Sequence, residues 1–172
     1  MTHQHPKIAQ LKNQWLYKQV EVEFPTKESL KGKEIYQESL KDRTYNICEQ
    51  QTLNAEPSDA FKLEDVFVAD FHRLTVMFAL MQAKRWHTEN EQQMIVEFLT
   101  QIIYSEPCQL YLGFSGGEPT ACGIVTYADD EMLISDLYAE NESKRNAFIT
   151  ALLEKESVRE KLHENSDVYL EI

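Results

Sequence analysis

Glycine, proline and cysteine are scarce in this chain of 172 residues, at five, five and three. The three cysteines, Cys48, Cys108 and Cys122, are odd in number and widely spaced. They form no CxxC pair and no disulfide framework, so buried, reduced thiols are expected. Internal repeats and low-complexity segments are absent. No apolar run approaches the roughly 20 residues of a membrane span, and the opening Met1-Thr-His-Gln-His-Pro6 is polar rather than signal-like, which makes the cytoplasm the expected location. Basic residues are also few: 17 Lys and Arg face 29 Asp and Glu, a formal net charge of -12. Such a surface opposes sequence-independent binding to nucleic acid and to anionic membranes, while leaving room for a small anion in a local basic pocket.

What is present suits one ordinary core, since 172 residues is about one domain's worth. With 42% hydrophobic and 27% charged residues, the chain reads as globular rather than as a disordered acidic tail. We expect a single domain over 1–172, made of an N-terminal extension over 1–60 and a core over 61–172.

In the extension, Ile8, Leu11 and Trp15 have helical spacing, and Val20, Val22 and Phe24 alternate with Glu21 and Glu23 as in a half-buried strand. Pro25-Thr26 reads as a helix start, with Tyr36, Leu40, Thr44, Ile47 and Cys48 continuing the period to about residue 52. From Leu63, the positions Val66, Phe67, Phe71, Leu74, Met77, Phe78 and Met81 trace one broad apolar face, which predicts a core helix of about 25 residues. Thr88 with Glu91 is a capping-box pair opening a further helix to about Tyr104. Leu110, Leu112 and Phe114 alternate before the turn at Ser115-Gly-Gly-Glu118, and Ala121, Gly123, Val125 and Tyr127 alternate after it. With Met132 to Tyr138 these make a three-stranded antiparallel meander over 108–138. Asn141 caps a helix with Ala147, Phe148, Ala151 and Leu152 inward, and Val168 to Ile172 forms a last strand. The order predicts an α+β, or mixed α/β, fold with helices packed on a sheet. No metal is expected: His3 and His5 sit at a fraying terminus, and His87 with Glu91 reads as a surface pair without a third ligand.

The stretch Leu110-Tyr-Leu-Gly-Phe-Ser-Gly-Gly-Glu-Pro-Thr-Ala-Cys-Gly-Ile-Val125 resembles the second and third strands of the GNAT acyl-CoA N-acyltransferases. Ile134-Ser-Asp-Leu-Tyr-Ala-Glu-Asn-Glu142 is similar to that family's fourth strand and its exit, and Ala151-Leu-Leu-Glu154 matches a run in its cofactor helix. The resemblance covers about 108–156. It implies acetyl-CoA as cofactor, with pantetheine along the backbone of Leu137 to Ala139 and pyrophosphate at Lys144, Arg145, Asn146 and Ala147, a helix N-terminus where anions bind. It further implies general acid and base groups, for which Asp136 is the candidate base and Tyr138 or Tyr169 the candidate proton donor.

The pyrophosphate motif itself departs from the family pattern. Lys144 stands at its first position, but Ala147 and Ile149 replace its two small residues, and a β-branched Ile would either crowd the phosphates or turn into the core. The family also continues past its fifth strand, often with the tyrosine that protonates the leaving thiolate. Here Ile172 ends the sequence near that strand, so an acid would have to come from the first sixty residues or a partner subunit. Three readings stay open: an N-acetyltransferase whose acidic surface collects a cationic amine or a lysine side chain, a non-catalytic GNAT-like binding or assembly protein that has lost acetyl-CoA use, and an unrelated α+β adaptor. A homodimer is compatible with each.

Overall fold

A computed structural model describes residues 5–172. Its centre is a mixed six-stranded sheet, as the alternation of the 108–138 region requires. Strands β3 (Cys108–Ser115), β4 (Glu118–Ala128) and β5 (Glu131–Ala139) form the antiparallel meander. Gly116 and Gly117, at φ 59° and 80°, supply the left-handed turn between β3 and β4 that residues with a Cβ adopt reluctantly. Helix α5 (Glu142–Glu154), capped by the Asn141 side chain accepting from Lys144 N, and the single turn α6 (Glu156–Arg159) carry the chain back to β6 (Asp167–Glu171). This crossover makes β5–β6 the sheet's one parallel pairing. At the edges, β1 (Tyr45–Ile47) pairs with β6 and β2 (Val66–Val68) with β3, giving the order β1-β6-β5-β4-β3-β2.

Because strand residues point alternately to the two faces, the sheet has a core on each. On one side, Leu110, Leu112, Cys122 and Ile124 pack under helices α1 (Lys7–Lys18), α2 (Lys27–Ser39), α3 (His72–Ala83) and α4 (Glu89–Leu99). On the other, Tyr111, Val125, Met132 and Ile134 pack under Phe148, Ile149 and Leu152 of α5. Close approach sets two glycines. A Cβ at Gly32 of α2 would lie 2.0 Å from the Met94 carbonyl oxygen on α4, and one at Gly113 would lie 2.9 Å from the Phe148 and Phe61 rings.

The meander, the Thr88 cap, the Asn141 cap and the last strand lie where the residue pattern puts them. Three expectations in the N-terminal half are corrected. Residues 20–24 form no strand: the N–H groups of Gln19, Val20 and Glu21 bond back to Leu16, Tyr17 and Lys18, and Val22 and Phe24 are 57% and 84% exposed. The helix begun at Thr26 stops at Ser39, since β6 offers a free edge and Thr44 and Ile172 exchange backbone hydrogen bonds to start β1 there. The long helix expected from Leu63 is instead strand β2, a break, and then α3. Pairing of Val66–Val68 with Gly113–Tyr111 claims that backbone, leaving Phe67 and Phe71 exposed rather than inward.

Among the described residues, no helix is long and apolar enough to cross a membrane, and no group of three or more His, Cys, Asp or Glu is arranged to hold a metal ion.

Candidate functional site

The most unusual chemistry in the fold is a buried ion network at the end of β5. Strand β5 carries one extra residue against β4, since Cys122 pairs with Tyr138 but Ile124 pairs with Ser135. That bulge places Asp136 at φ 51°, a left-handed conformation that Asp tolerates better than most side chains. The carboxylate is fully buried, and every lone-pair direction is engaged. Its Oδ1 accepts from Tyr36 Oη at 2.7 Å and Arg43 Nη1 at 2.7 Å. Its Oδ2 accepts from Ser135 Oγ at 2.8 Å and lies 3.0 Å from Lys12 Nζ.

Glu171, at the end of β6, completes the set. Its Oε1 accepts from Arg43 Nη1 at 2.8 Å and from the backbone N–H of Asp136 at 3.0 Å, and its Oε2 accepts from Tyr45 Oη at 2.8 Å. Lys12 Nζ donates to Tyr36 Oη at 2.6 Å and lies 3.5 Å from Glu171 Oε2. Two cations, Lys12 and Arg43, thus balance two carboxylates, with Arg85 3.6 Å from Asp136 at the partly exposed margin. Such balance is what lets charges persist away from water.

Burial alone would raise the Asp136 and Glu171 carboxyls, but Lys12 and Arg43 hold both below the usual carboxylate range. Burial alone would lower the Lys12 ammonium, yet Asp136 and Glu171 raise it. Burial, reinforced by the Asp136 charge, pushes the Tyr36 phenol up. The network is therefore charged on four groups and neutral on Tyr36 throughout the middle of the pH range. A carboxylate held this way is a poor proton acceptor near neutrality.

The other candidates for proton transfer lie nearby on the sheet but outside these bonds. Tyr138 is half-buried on the α3 side, with Lys84 Nζ 5.9 Å from its ring centre. Tyr169 packs on Ile8, Ala9 and Leu133 beneath α1. Leu137 and Ala139 pack on the α5 side, past the last β5–β6 register pair, Ile134 with Leu170.

At the start of α5, Lys144 Nζ donates to Glu140 at 2.6 Å, and Arg145 lies 3.8 Å from Glu142. The segment before β2 lies across this helix start. The Glu56 N–H donates to Ser143 Oγ at 2.9 Å, and Asn146 Nδ2 donates to the Asn54 carbonyl at 2.9 Å. Ala147 is buried, and Ile149 is wholly inside the core beneath Phe148 and Leu152, which decides between its two alternatives in favour of the core. What remains open there is a recess of about 360 Å³ lined by Glu56, Glu142, Ser143 and Asn146 among others.

Lys12, Arg43, Tyr45 and Glu171, the part Tyr36 plays in the network, and the bulge itself escape the sequence reading. One signal was present. Lys12 sits four residues from both Ile8 and Leu16, on the apolar stripe of α1, where a charge belongs only if it is paired. Elsewhere, Cys108 and Cys122 are buried free thiols pushed up to about 12 by burial, and Cys48 is a half-buried free thiol. His87 makes no ion pair with Glu91, whose carboxylate instead accepts from Thr88 Oγ at 2.9 Å. His5 packs on Tyr45, and His3 lies outside the described residues.

No protein-family model matches the sequence, and no curated protein matches it.

Proposed function

We propose that this chain is a non-catalytic binding or assembly protein built on a GNAT-like core. The element order from β2 through β6, with its bulged β5 and parallel β5–β6 pair, supports the GNAT-like reading that the residues of 108–156 suggested. One observation carries the loss of catalysis. Side chains of the N-terminal extension bond to the candidate base Asp136, and its residues 54–56 bond across the helix start suggested for the pyrophosphate.

Tyr36 and Arg43 bond directly to Asp136, the only buried carboxylate on β5, and fill the space beside the bulge. Residues 54–56 bond across the start of α5, where the nearest cations are already matched to Glu140 and Glu142. Negative charge at that helix start opposes a pyrophosphate rather than attracting it.

The competing reading, an acetyl-CoA-dependent N-acetyltransferase acting on a cationic amine, draws support from Leu137–Ala139, which lie beyond the β5–β6 pairing. Release of free CoA thiol separates the two. Incubation with acetyl-CoA and spermidine, an aminoglycoside or a lysine peptide is expected to release thiol no faster than the same mixture without protein. Saturable release with any of these acceptors would overturn the non-catalytic reading.

A further inference from the structure

On the outer side of the α3–α4 hairpin runs an open groove of about 760 Å³, within the range of sites that enclose a ligand or a few side chains. Its floor is apolar: Leu80 and Ala83 from α3, Met94 and Val96 from α4. Leu80 is 54% exposed although its neighbours Ala79 and Met81 are buried. The rim is acidic. Glu28, Glu89 and Glu97 line it and form no ion pair among the described residues, whereas Glu34 and Glu38, further along α2, are matched by Lys31 and Lys41. The one rim cation, Lys84, has its ammonium 5.9 Å from the Tyr138 ring centre.

We propose that this groove docks an amphipathic basic helix of a partner protein, its aliphatic side chains on Leu80 and Val96 and its Lys or Arg residues toward Glu28, Glu89 and Glu97. An apolar floor between acidic walls is the complement of such a helix, and opposite potentials select it over other partners. A second copy of this chain, at -12, meets the groove with like charge, as do phosphate-bearing ligands. The inference deepens the binding-protein reading and rests on it for its biological sense. None of the residues lining the groove belongs to α5 or bonds to Asp136 or Glu171, and the acetyl-CoA and peptide measurements read the two claims separately.

The probe is a fluorescein-labelled leucine–lysine peptide with leucines at i, i+3, i+4 and i+7, stapled as a helix. Its control replaces each leucine by serine at the same charge. Anisotropy titrations on the full chain at about 0.15 M salt keep surface attraction screened. Saturable micromolar binding of the leucine peptide is expected, at least tenfold tighter than the control. Leu80→Asp is expected to weaken it at least tenfold, although the added negative charge would strengthen a purely electrostatic association; Glu89→Lys with Glu97→Lys is expected to weaken it similarly. Leu80 and Val96 methyl shifts in the unmodified protein, which depend on no variant, are expected to move with the same midpoint. Equal binding of the two peptides, tighter binding to Leu80→Asp, unmoved methyl shifts or no saturable binding would overturn the proposal.

Discussion

Replacing Lys12 by Met keeps the unbranched apolar stem as far as Cε but removes the ammonium from the ion network. Lost with the ammonium are its hydrogen bond to Tyr36 Oη at 2.6 Å and its ion pairs to Asp136 and Glu171 at 3.0 and 3.5 Å. Arg43 is then left against two carboxylates that have no access to water. Removing one partner of a buried pair costs about 3–5 kcal/mol, a large part of the 5–15 kcal/mol that holds a typical domain together. Glu171→Gln errs in the opposite direction, leaving two cations against Asp136 while its amide oxygen still accepts from Arg43. The double variant returns the network to one cation and one carboxylate. Its cost is expected to fall short of the sum of the single costs by about 2–3 kcal/mol, the upper part of the range for residues in one network. Urea unfolding at pH 7 reads this directly. At about 1–3 kcal/mol per molar urea, Lys12→Met lowers the midpoint by about 1 M or more, and the double variant recovers part of the loss. Single costs that add to within about 0.5 kcal/mol, or a Lys12→Met cost below about 1 kcal/mol, would refute the charge-balance reasoning.

The same network sets the pH range of stability. Asp136 and Glu171 are held below their ordinary values, so their contribution is present above about pH 4 and is lost as pH falls through the folded-state values. Lys12 is held above its ordinary value, so its contribution is present below about pH 10 and is lost as pH rises through the folded-state value. Thermal unfolding is therefore expected to show a plateau from about pH 5 to 9 with losses on both sides; a decline between pH 6 and 8 that disappears in Asp136→Asn would contradict it. Gly32→Ala gains about 1 kcal/mol of helix propensity, but its methyl would meet Met94 O at 2.0 Å. Net destabilisation of at least about 1–3 kcal/mol is expected in urea, and a stabilised variant would show that α2 and α4 do not cross at this glycine.

The parts of the fold that were legible in the sequence are those whose pattern is local. Alternation across 108–138 has one good solution, and Thr88 and Asn141 cap their helices through side chains three residues from the N–H they accept. The edge strands were not legible for the opposite reason. Val66–Val68 and Tyr45–Ile47 are three residues each and become strands only because β3 and β6 offer free edges, a condition set by partners 40 to 130 positions away. The apolar spacing of Leu63, Val66, Phe67 and Phe71 is equally good for a helix, and pairing decided against it. Asp136 stands out as a candidate base from its place on the family-like strand, but its partners Lys12, Tyr36, Arg43 and Glu171 are scattered over the chain. Nothing short of the fold brings them together. Ile149, by contrast, carries its signal openly: at the position where the resemblance would put a phosphate contact, a β-branched residue either crowds the phosphates or turns into the core, and Ile149 lies in the core.

The central claim is the proposal that the N-terminal extension, by tying up Asp136 and lying across the start of α5, leaves no working acetyl-CoA site, and thermal unfolding of the full chain with and without millimolar acetyl-CoA tests it most directly. A ligand at about 100 times its dissociation constant adds about 2.7 kcal/mol to the folded state, which for a chain of this size is a rise of roughly 5–10 °C in Tm. No shift beyond that given by the same concentration of acetate and adenosine is predicted. A rise of several degrees with acetyl-CoA, lost when Lys144 and Arg145 are both changed to Ala, would contradict the account.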